Sequence, residues 1–197
     1  MPRFVDSETR RREILQAGLE ILGENGLPGV TFRSVAARMG GSSTLVTHYY
    51  GTRRALIVDL TAYSIELGRQ QLAKLENAAE GPAERLRTLL LWLVPLDEAG
   101  LREERARVSM MAAGPTEPEI EEFLDGWETE VRDLLGRHLA DMVAPGEVAG
   151  LVDFLRAVTN GVVLSAVEHP QTWTRKRQES VVATALSVVL ARTTPPR

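Results

Sequence analysis

The chain has 197 residues, a formal net charge of −4 and no cysteine. A chain of this length can bury one sizeable core or two smaller ones, and the lack of cysteine excludes disulfides, thiolate metal sites and thiol nucleophiles. The segment up to Arg54 holds eight arginines against five carboxylates, whereas the remainder is strongly acidic. A basic head on an acidic body is typical of a nucleic-acid reader.

The apolar segments of the sequence indicate neither a membrane protein nor a secreted one. The N-terminal residues lack the apolar stretch of a signal peptide, and the longest apolar run, residues 161–167, is too short to span a bilayer. We therefore expect a cytoplasmic protein.

The first predicted helix covers residues 7–24, where apolar side chains recur at helical spacing. Asn25 and Gly26, with Pro28 just beyond, are typical of a helix end. This helix is long enough to support shorter ones packed against it.

Two short helices are predicted next, over residues 32–39 and 43–50. Thr31 and Ser42 are hydroxyl residues suited to cap their starts. The glycine pair at positions 40 and 41 permits a tight turn between them.

Proline and glycine divide the remainder of the chain into further helices, and no strand pattern is visible. We predict about nine helices and an all-α fold: a three-helix helix-turn-helix head, residues 1–52, and a helical-bundle body for ligand binding and dimerisation, residues 53–197. The predicted helices of the body cover residues 53–79, 83–94, 101–113, 118–143, 146–168 and 175–191.

The two short helices carry the functional signal. Two such helices joined by a tight turn and packed on a longer one form a DNA-reading unit. Val46 and Tyr50 are four residues apart and would point inward, which leaves a mostly polar outer face. The alternative is an ordinary helical hairpin within a bundle.

The residues from Thr31 to Ile57, TFRSVAARMGGSSTLVTHYYGTRRALI, resemble the TetR family of regulators. The paired tyrosines at 49 and 50, the Thr52-Arg53 start of the fourth helix and the Ala-Leu that follows carry this resemblance. The THYY ending and the run at 85–98 resemble the BetI-like branch of the family.

The resemblance implies a set of DNA contacts in the head. Thr31, Arg33, Tyr49 and Arg53 would touch backbone phosphate, and the third helix would face the groove. The full predicted DNA-binding set is Thr31, Arg33, Ser42, Ser43, Thr44, Leu45, Thr47, His48, Tyr49 and Arg53. The groove face has neither Arg nor Lys, the usual readers of guanine, so it departs from the wider family.

The arginines at 10, 11 and 12 have two interpretations. They are either a solvated helix end or neutralisers of DNA phosphate. The sequence leaves both open.

The resemblance also implies a small-molecule pocket framed by the fourth to eighth helices. Soft and aromatic side chains between helices build such pockets, although core packing is the alternative for most of them. The candidate pocket residues are Tyr63, Trp92, Ser109, Met110, Phe123, Trp127, Glu128 and Asn160.

The last two helices carry more apolar residues than a small bundle could bury by itself. We predict that they form a dimer face, in which a pair meets its symmetry mate as a four-helix bundle; a fully internal core is the alternative. The predicted interface residues are Val162, Val163, Val167, Val182, Leu186 and Val189.

Together these features predict a homodimeric, ligand-responsive repressor that binds a palindromic operator and is released by a small-molecule inducer. The fourth helix would link the body to the head. The three histidines, at 48, 138 and 169, lack metal-ligand spacing, and neither a nucleophile elbow nor a phosphate-binding loop is present, so we expect no metal, no cofactor and no enzyme activity. The alternative is a helical ligand-binding or enzymatic bundle with no role on DNA.

Overall fold

The computed structural model describes residues 7–113 and 118–193, and all regular secondary structure in these ranges is helical. This confirms the all-α class. The nine helices of the described ranges are α1 (Ser7–Gly29), α2 (Phe32–Arg38), α3 (Ser43–Tyr49), α4 (Arg53–Glu76), α5 (Gly81–Trp92), α6 (Glu98–Ala113), α7 (Pro118–Ala140), α8 (Pro145–Glu168) and α9 (Arg175–Leu190).

Helix α1 is broken close to its C-terminal end, where the sequence predicted a stop. Gly26 has φ 67° and ψ −179°, a conformation that interrupts the helix before a last short turn that includes Pro28. The backbone there is in a region that glycine reaches at little cost. The regular part of α1 therefore ends at the predicted Asn25-Gly26 signal.

The chain divides into two compact units, and the first differs from the predicted head of residues 1–52. It extends to Glu66 and also takes in Ala106–Trp127. The reason is its apolar core, to which the first half of α4 and the start of α7 contribute. The buried core residues from these two helices are Leu56, Ile57, Leu60, Ile120 and Phe123.

The second unit comprises Leu67–Arg105 and the chain from Glu128 onward. Within it, α9 packs against α5 and α8. Gln178 of α9 is 3 % exposed, and its amide nitrogen donates to the backbone carbonyls of Pro95 and Trp173, both at 3.0 Å. This side chain ties the loop after α5 to the loop before α9.

Three helices, α4, α6 and α7, contribute residues to both units. The sequence predicted α4 alone in this role. The difference arises because the start of α7 supplies core residues to the first unit, while buried residues such as Val131 and Leu135 further along the helix belong to the second.

The predicted dimer interface needs correction. Val162, Val163, Val182 and Val189 are each at most 2 % exposed within the single chain, so they belong to its core and cannot face a partner. Val167 and Leu186 are half-buried. The chain buries more of α8 and α9 than expected because α5 covers one side of α9.

Among the described helices, α8 alone has the length and apolar composition needed to cross a membrane. The expectation from the sequence was based only on the apolar run 161–167, which is shorter than this helix. Helices in the core of a folded domain can have the same length and composition. Its buried residues, including Leu151, Leu155 and Val163, lie in the core of the second unit.

Candidate nucleic-acid interface

The start of α2 is fixed by a reciprocal cap. The Thr31 hydroxyl accepts a hydrogen bond from the backbone N–H of Ser34 at 3.0 Å, and the Ser34 hydroxyl accepts from the backbone N–H of Thr31 at 2.9 Å. Two N–H groups that the helix itself leaves unpaired are thereby satisfied. The predicted cap at Thr31 is confirmed, with Ser34 as its partner.

The turn between α2 and α3 depends on Gly40. Its φ is 69°, and the backbone N–H groups of Gly40 and Gly41 donate to the carbonyls of Ala37 and Ala36 at 3.1 and 2.9 Å. This is the hydrogen-bond pattern of a glycine-terminated helix end. It stops α2 sharply, so only four residues separate α2 from α3.

Helix α3 has one buried and one exposed face. Val46 is fully buried, and Tyr50, directly after the helix, is 2 % exposed. The residues on the opposite side are exposed, as predicted: Ser42, Ser43, Thr44, Thr47 and His48. Leu45 and Tyr49 are half-buried at the edge of this face.

Local contacts hold the exposed side chains of α3. The Thr47 hydroxyl donates to the Thr44 carbonyl at 3.1 Å, and the rings of His48 and Tyr49 meet edge to face with 5.4 Å between centroids. The Ser42 side chain makes no cap hydrogen bond at the start of α3. The helix therefore presents a compact surface of hydroxyl groups and one imidazole.

Arg53, at the start of α4, has a structural role that the sequence did not predict. Its guanidinium donates to the Val30 carbonyl through Nε at 2.9 Å and to the Leu27 carbonyl through Nη2 at 2.8 Å. It thus ties α4 to the segment between α1 and α2. Arg33, the other arginine of the predicted phosphate set, is exposed.

A cluster of three side chains closes the far end of α3. The Tyr50 hydroxyl donates to Asp59 Oδ2 at 3.0 Å, and Arg11 donates to the same oxygen through Nε at 2.8 Å and through Nη2. Burial, together with the Asp59 carboxylate, raises the pKa of Tyr50 to about 12, so its hydroxyl keeps the proton it donates. No sequence pattern predicted this cluster, because Arg11 and Asp59 are 48 positions apart.

Two family models match the chain. One, described as "Bacterial regulatory proteins, tetR family", matches residues 14–60, and the other, described as "BetI-type transcriptional repressor, C-terminal", matches residues 82–191, more than half of the chain. The chain belongs to the TetR family. Members of this family are transcriptional regulators rather than enzymes.

Curated relatives of this TetR-family chain include two named regulators. The HTH-type transcriptional regulator PksA of Bacillus subtilis is 29 % identical over 107 residues, 52 % of this chain and 50 % of PksA. The HTH-type transcriptional regulator BetI of Burkholderia mallei is 32 % identical over 91 residues, 46 % of this chain and 47 % of BetI. The chain thus spans about half the length of these relatives.

Solved structures share the fold over nearly the whole chain. A transcriptional regulator from Rhodococcus sp. Rha1 has a TM-score of 0.76 at 24 % identity, covering 94 % of this chain and 99 % of that one. A transcriptional regulator from Saccharomonospora viridis, solved in complex with choline, has a TM-score of 0.74 at 13 % identity, covering 92 % and 97 %. At these identities the likeness concerns the fold.

The candidate pocket residues of the TetR-family body do not gather in one unit. Tyr63, Phe123 and Trp127 belong to the first unit. Phe123 is 8 % exposed in the core of that unit, and Tyr63 packs against this core. The side chains of Ser109 and Met110 lie outside the described part of the structure.

The remaining candidates lie in the second unit. Trp92 donates through its indole nitrogen to Gln71 Oε1 at 3.4 Å, and Glu128 accepts from Arg156 Nε at 2.7 Å. Asn160 differs from both, because its buried Oδ1 has no hydrogen-bond partner among the described residues. A buried acceptor in this state is a candidate to receive a donor from a ligand.

Proposed function

We propose that this TetR-family chain is a ligand-responsive repressor that binds a palindromic operator as a homodimer in the cytoplasm and is released by a small-molecule inducer. The observation that carries the proposal is the exposed face of α3, opposite the buried Val46 and Tyr50. An α-helix fits the major groove of B-DNA, so this face can reach base edges.

The proposed base contacts come from small side chains. The hydroxyls of Ser43, Thr44 and Thr47 and the imidazole of His48 would hydrogen-bond to base edges, and the apolar atoms of Leu45 would contact thymine methyl groups. With no Arg or Lys on this face, charge contributes little to base choice. The preference for particular bases then depends on the fit of this face to the groove and on hydrogen bonds from its small polar side chains.

The proposed phosphate contacts surround this face. Thr31 and Arg33 lie at the start of α2, Tyr49 at the end of α3 and Arg53 at the start of α4. Contacts of this kind fix the register of a protein on the duplex but carry no sequence information themselves. Ser42, exposed before α3, completes the proposed set.

The proposed dimer interface is the outer face of α8 and α9. Phe154 and Leu164 of α8 are 36 % and 46 % exposed, and Leu190 of α9 is 41 % exposed. Gly161, between the two exposed side chains of α8, has open space beside it. An apolar strip of this kind fits a symmetric helix–helix contact, which would present two heads to successive major grooves.

The proposed inducer site is in the body, with Asn160 as its polar anchor. The similarity to the BetI-type C-terminal model and the choline complex of the Saccharomonospora viridis regulator support a small-molecule ligand of some kind. The inducer must bind the released state more tightly than the DNA-bound state, because equal affinity would shift nothing.

The test is DNA binding by the purified full chain at moderate salt. We expect the promoter region beside its own gene to bind more tightly than random duplex. Thr47→Ala and His48→Ala should change which base substitutions in that promoter are tolerated, by about 1–3 kcal/mol at the affected position.

Thr172→Ala is the matched control for Thr47→Ala. Thr172 is also an exposed threonine whose hydroxyl donates to a carbonyl three residues earlier, in this case that of His169 at 3.2 Å. It should leave base preference unchanged. Equal binding of promoter and random DNA by the wild type would refute the proposed function and favour a bundle with no role on DNA.

A further inference from the structure

The C-terminal end of α3 is held by side chains from outside the helix. Tyr50 donates to Asp59 Oδ2 of α4, and Arg11 of α1 donates to that same oxygen. The Arg11 guanidinium also lies 5.5 Å from the centre of the Tyr50 ring, within the range of a cation–π contact. One carboxylate oxygen thus connects three helices of the first unit.

This connection matters because α3 is short. A helix of seven residues packs on α2 but is only two turns long, so its direction also depends on what holds its two ends. The Gly40 turn fixes the first end. At the second end the buried Tyr50 ring sets the depth of the helix, and the hydroxyl–carboxylate contact restricts its rotation about its own axis.

We infer that Arg11, Asp59 and Tyr50 form a positioning cluster that orients the exposed face of α3 for sequence-specific DNA binding. The cluster acts through Tyr50 and does not itself touch DNA. This inference rests on the proposed function, since it concerns how the same helix meets the groove.

The inference gives Arg11 a third role, different from the solvated helix end and from the phosphate neutraliser that the sequence left open. A phosphate neutraliser contributes to the number of counterions released, and its loss lowers the slope of log K against log salt concentration by about one. A positioning residue leaves that slope unchanged and lowers the preference for the specific site. The two roles therefore separate in one measurement.

The experiment compares Tyr50→Phe, Arg11→Gln, Asp59→Asn and the double variant Tyr50→Phe/Asp59→Asn. Each full-length protein is titrated at several salt concentrations with a promoter duplex and a random duplex. The temperature is held well below the melting temperature of every variant. Two variants serve as charge-matched controls. Arg87→Gln removes an arginine from an exposed pair with Glu84. Asp125→Asn removes a carboxylate at an exposed position of the first unit.

We expect each single variant to lower the ratio of promoter to random affinity about threefold to tenfold, the equivalent of one lost hydrogen bond, with an unchanged salt slope. Asp59→Asn gives the clearest test. Removing a negative charge from the head should strengthen binding to promoter and random DNA alike by simple electrostatics, which leaves the ratio of the two affinities unchanged. The positioning cluster predicts that this ratio falls. The double variant should lose no more than the larger single effect, because the two groups act as a unit.

Each of the following results would overturn the inference. A salt slope lower by about one in Arg11→Gln would make Arg11 a phosphate contact. An unchanged promoter preference in Asp59→Asn, or melting temperatures that fall while the preference stays, would reduce the cluster to a stabilising role. Absence of any preference in the wild type would refute the proposed function, and the inference with it.

Discussion

At the residue scale, Arg53 shows how one side chain can serve structure and binding together. Its guanidinium donates to the carbonyls of Leu27 and Val30, both in the segment that leads into α2. The same residue is proposed to contact phosphate. The two roles need different chemistry: the carbonyls need a planar fork of donors, whereas phosphate needs only a positive charge.

Replacing Arg53 should therefore give two separable effects. We expect Arg53→Ala to lower the free energy of unfolding by about 1–3 kcal/mol, because the carbonyls of Val30 and Leu27 each lose a guanidinium donor. It should also lower the salt slope of DNA binding by about one. Arg53→Lys keeps the charge but not the fork, so it should lose stability and retain the slope. Urea denaturation and salt-dependent titration measure the two quantities.

Either half of this prediction can fail independently. Wild-type stability in both Arg53→Ala and Arg53→Lys would show that the carbonyl contacts contribute nothing. A wild-type slope in Arg53→Ala would remove Arg53 from the phosphate set.

At the scale of the elements, the helix-turn-helix depends on where its helices stop. Gly40 ends α2 with φ 69° and has no atom within 4 Å of the position that a Cβ would occupy. A side chain there meets no steric obstacle, so the cost of replacing Gly40 is conformational alone.

We expect Gly40→Ala to lower the free energy of unfolding by about 1 kcal/mol, the cost of the left-handed conformation for an L residue. Gly23→Ala is the matched control, since Gly23 lies in regular α1 and its added Cβ would also meet open space. That substitution should raise stability by about 0.5–1 kcal/mol through helix propensity. Urea denaturation of both variants is the measurement, and effects of the same sign would contradict the assignment of the turn.

At the scale of the whole molecule, the outer faces of α8 and α9 set the proposed assembly. We expect Leu164→Glu to convert the dimer into a monomer, raising the dissociation constant about 100-fold or more, because an unpaired carboxylate would be buried at the interface. Light scattering coupled to size exclusion measures this. Loss of promoter binding should accompany it.

Leu75→Glu is the control for this change. Leu75 of α4 is 48 % exposed, close to the 46 % of Leu164, and it is not part of the proposed interface. It should leave the dimer intact. Equal dissociation in both variants, or a Leu164→Glu dimer of wild-type strength, would move the interface off this face.

The sequence by itself determined the helices, their approximate ends and the helix-turn-helix. These features are local: helical periodicity, the cap at Thr31 and the glycines at 26 and 40 act within a few residues of one another. The buried and exposed faces of α3 followed from the same periodicity, because a two-turn helix packed on one side has little choice of face.

Only the tertiary structure decided which partner each remaining surface meets. Val162 and Val189 are apolar in the sequence, but burial by neighbouring helices places them in the core, while Leu164 and Leu190 remain exposed. Periodicity gives an apolar stripe without stating whether it faces the same chain or a second copy.

The same limit applies to contacts between residues distant along the chain. The bond from Arg11 to Asp59 and the place of Phe123 in the first core depend on how α1, α4 and α7 pack. Side-chain charge and hydrophobicity permit many such pairings. The packed helices select one of them, and in this protein that selection sets the orientation of the helix proposed to enter DNA.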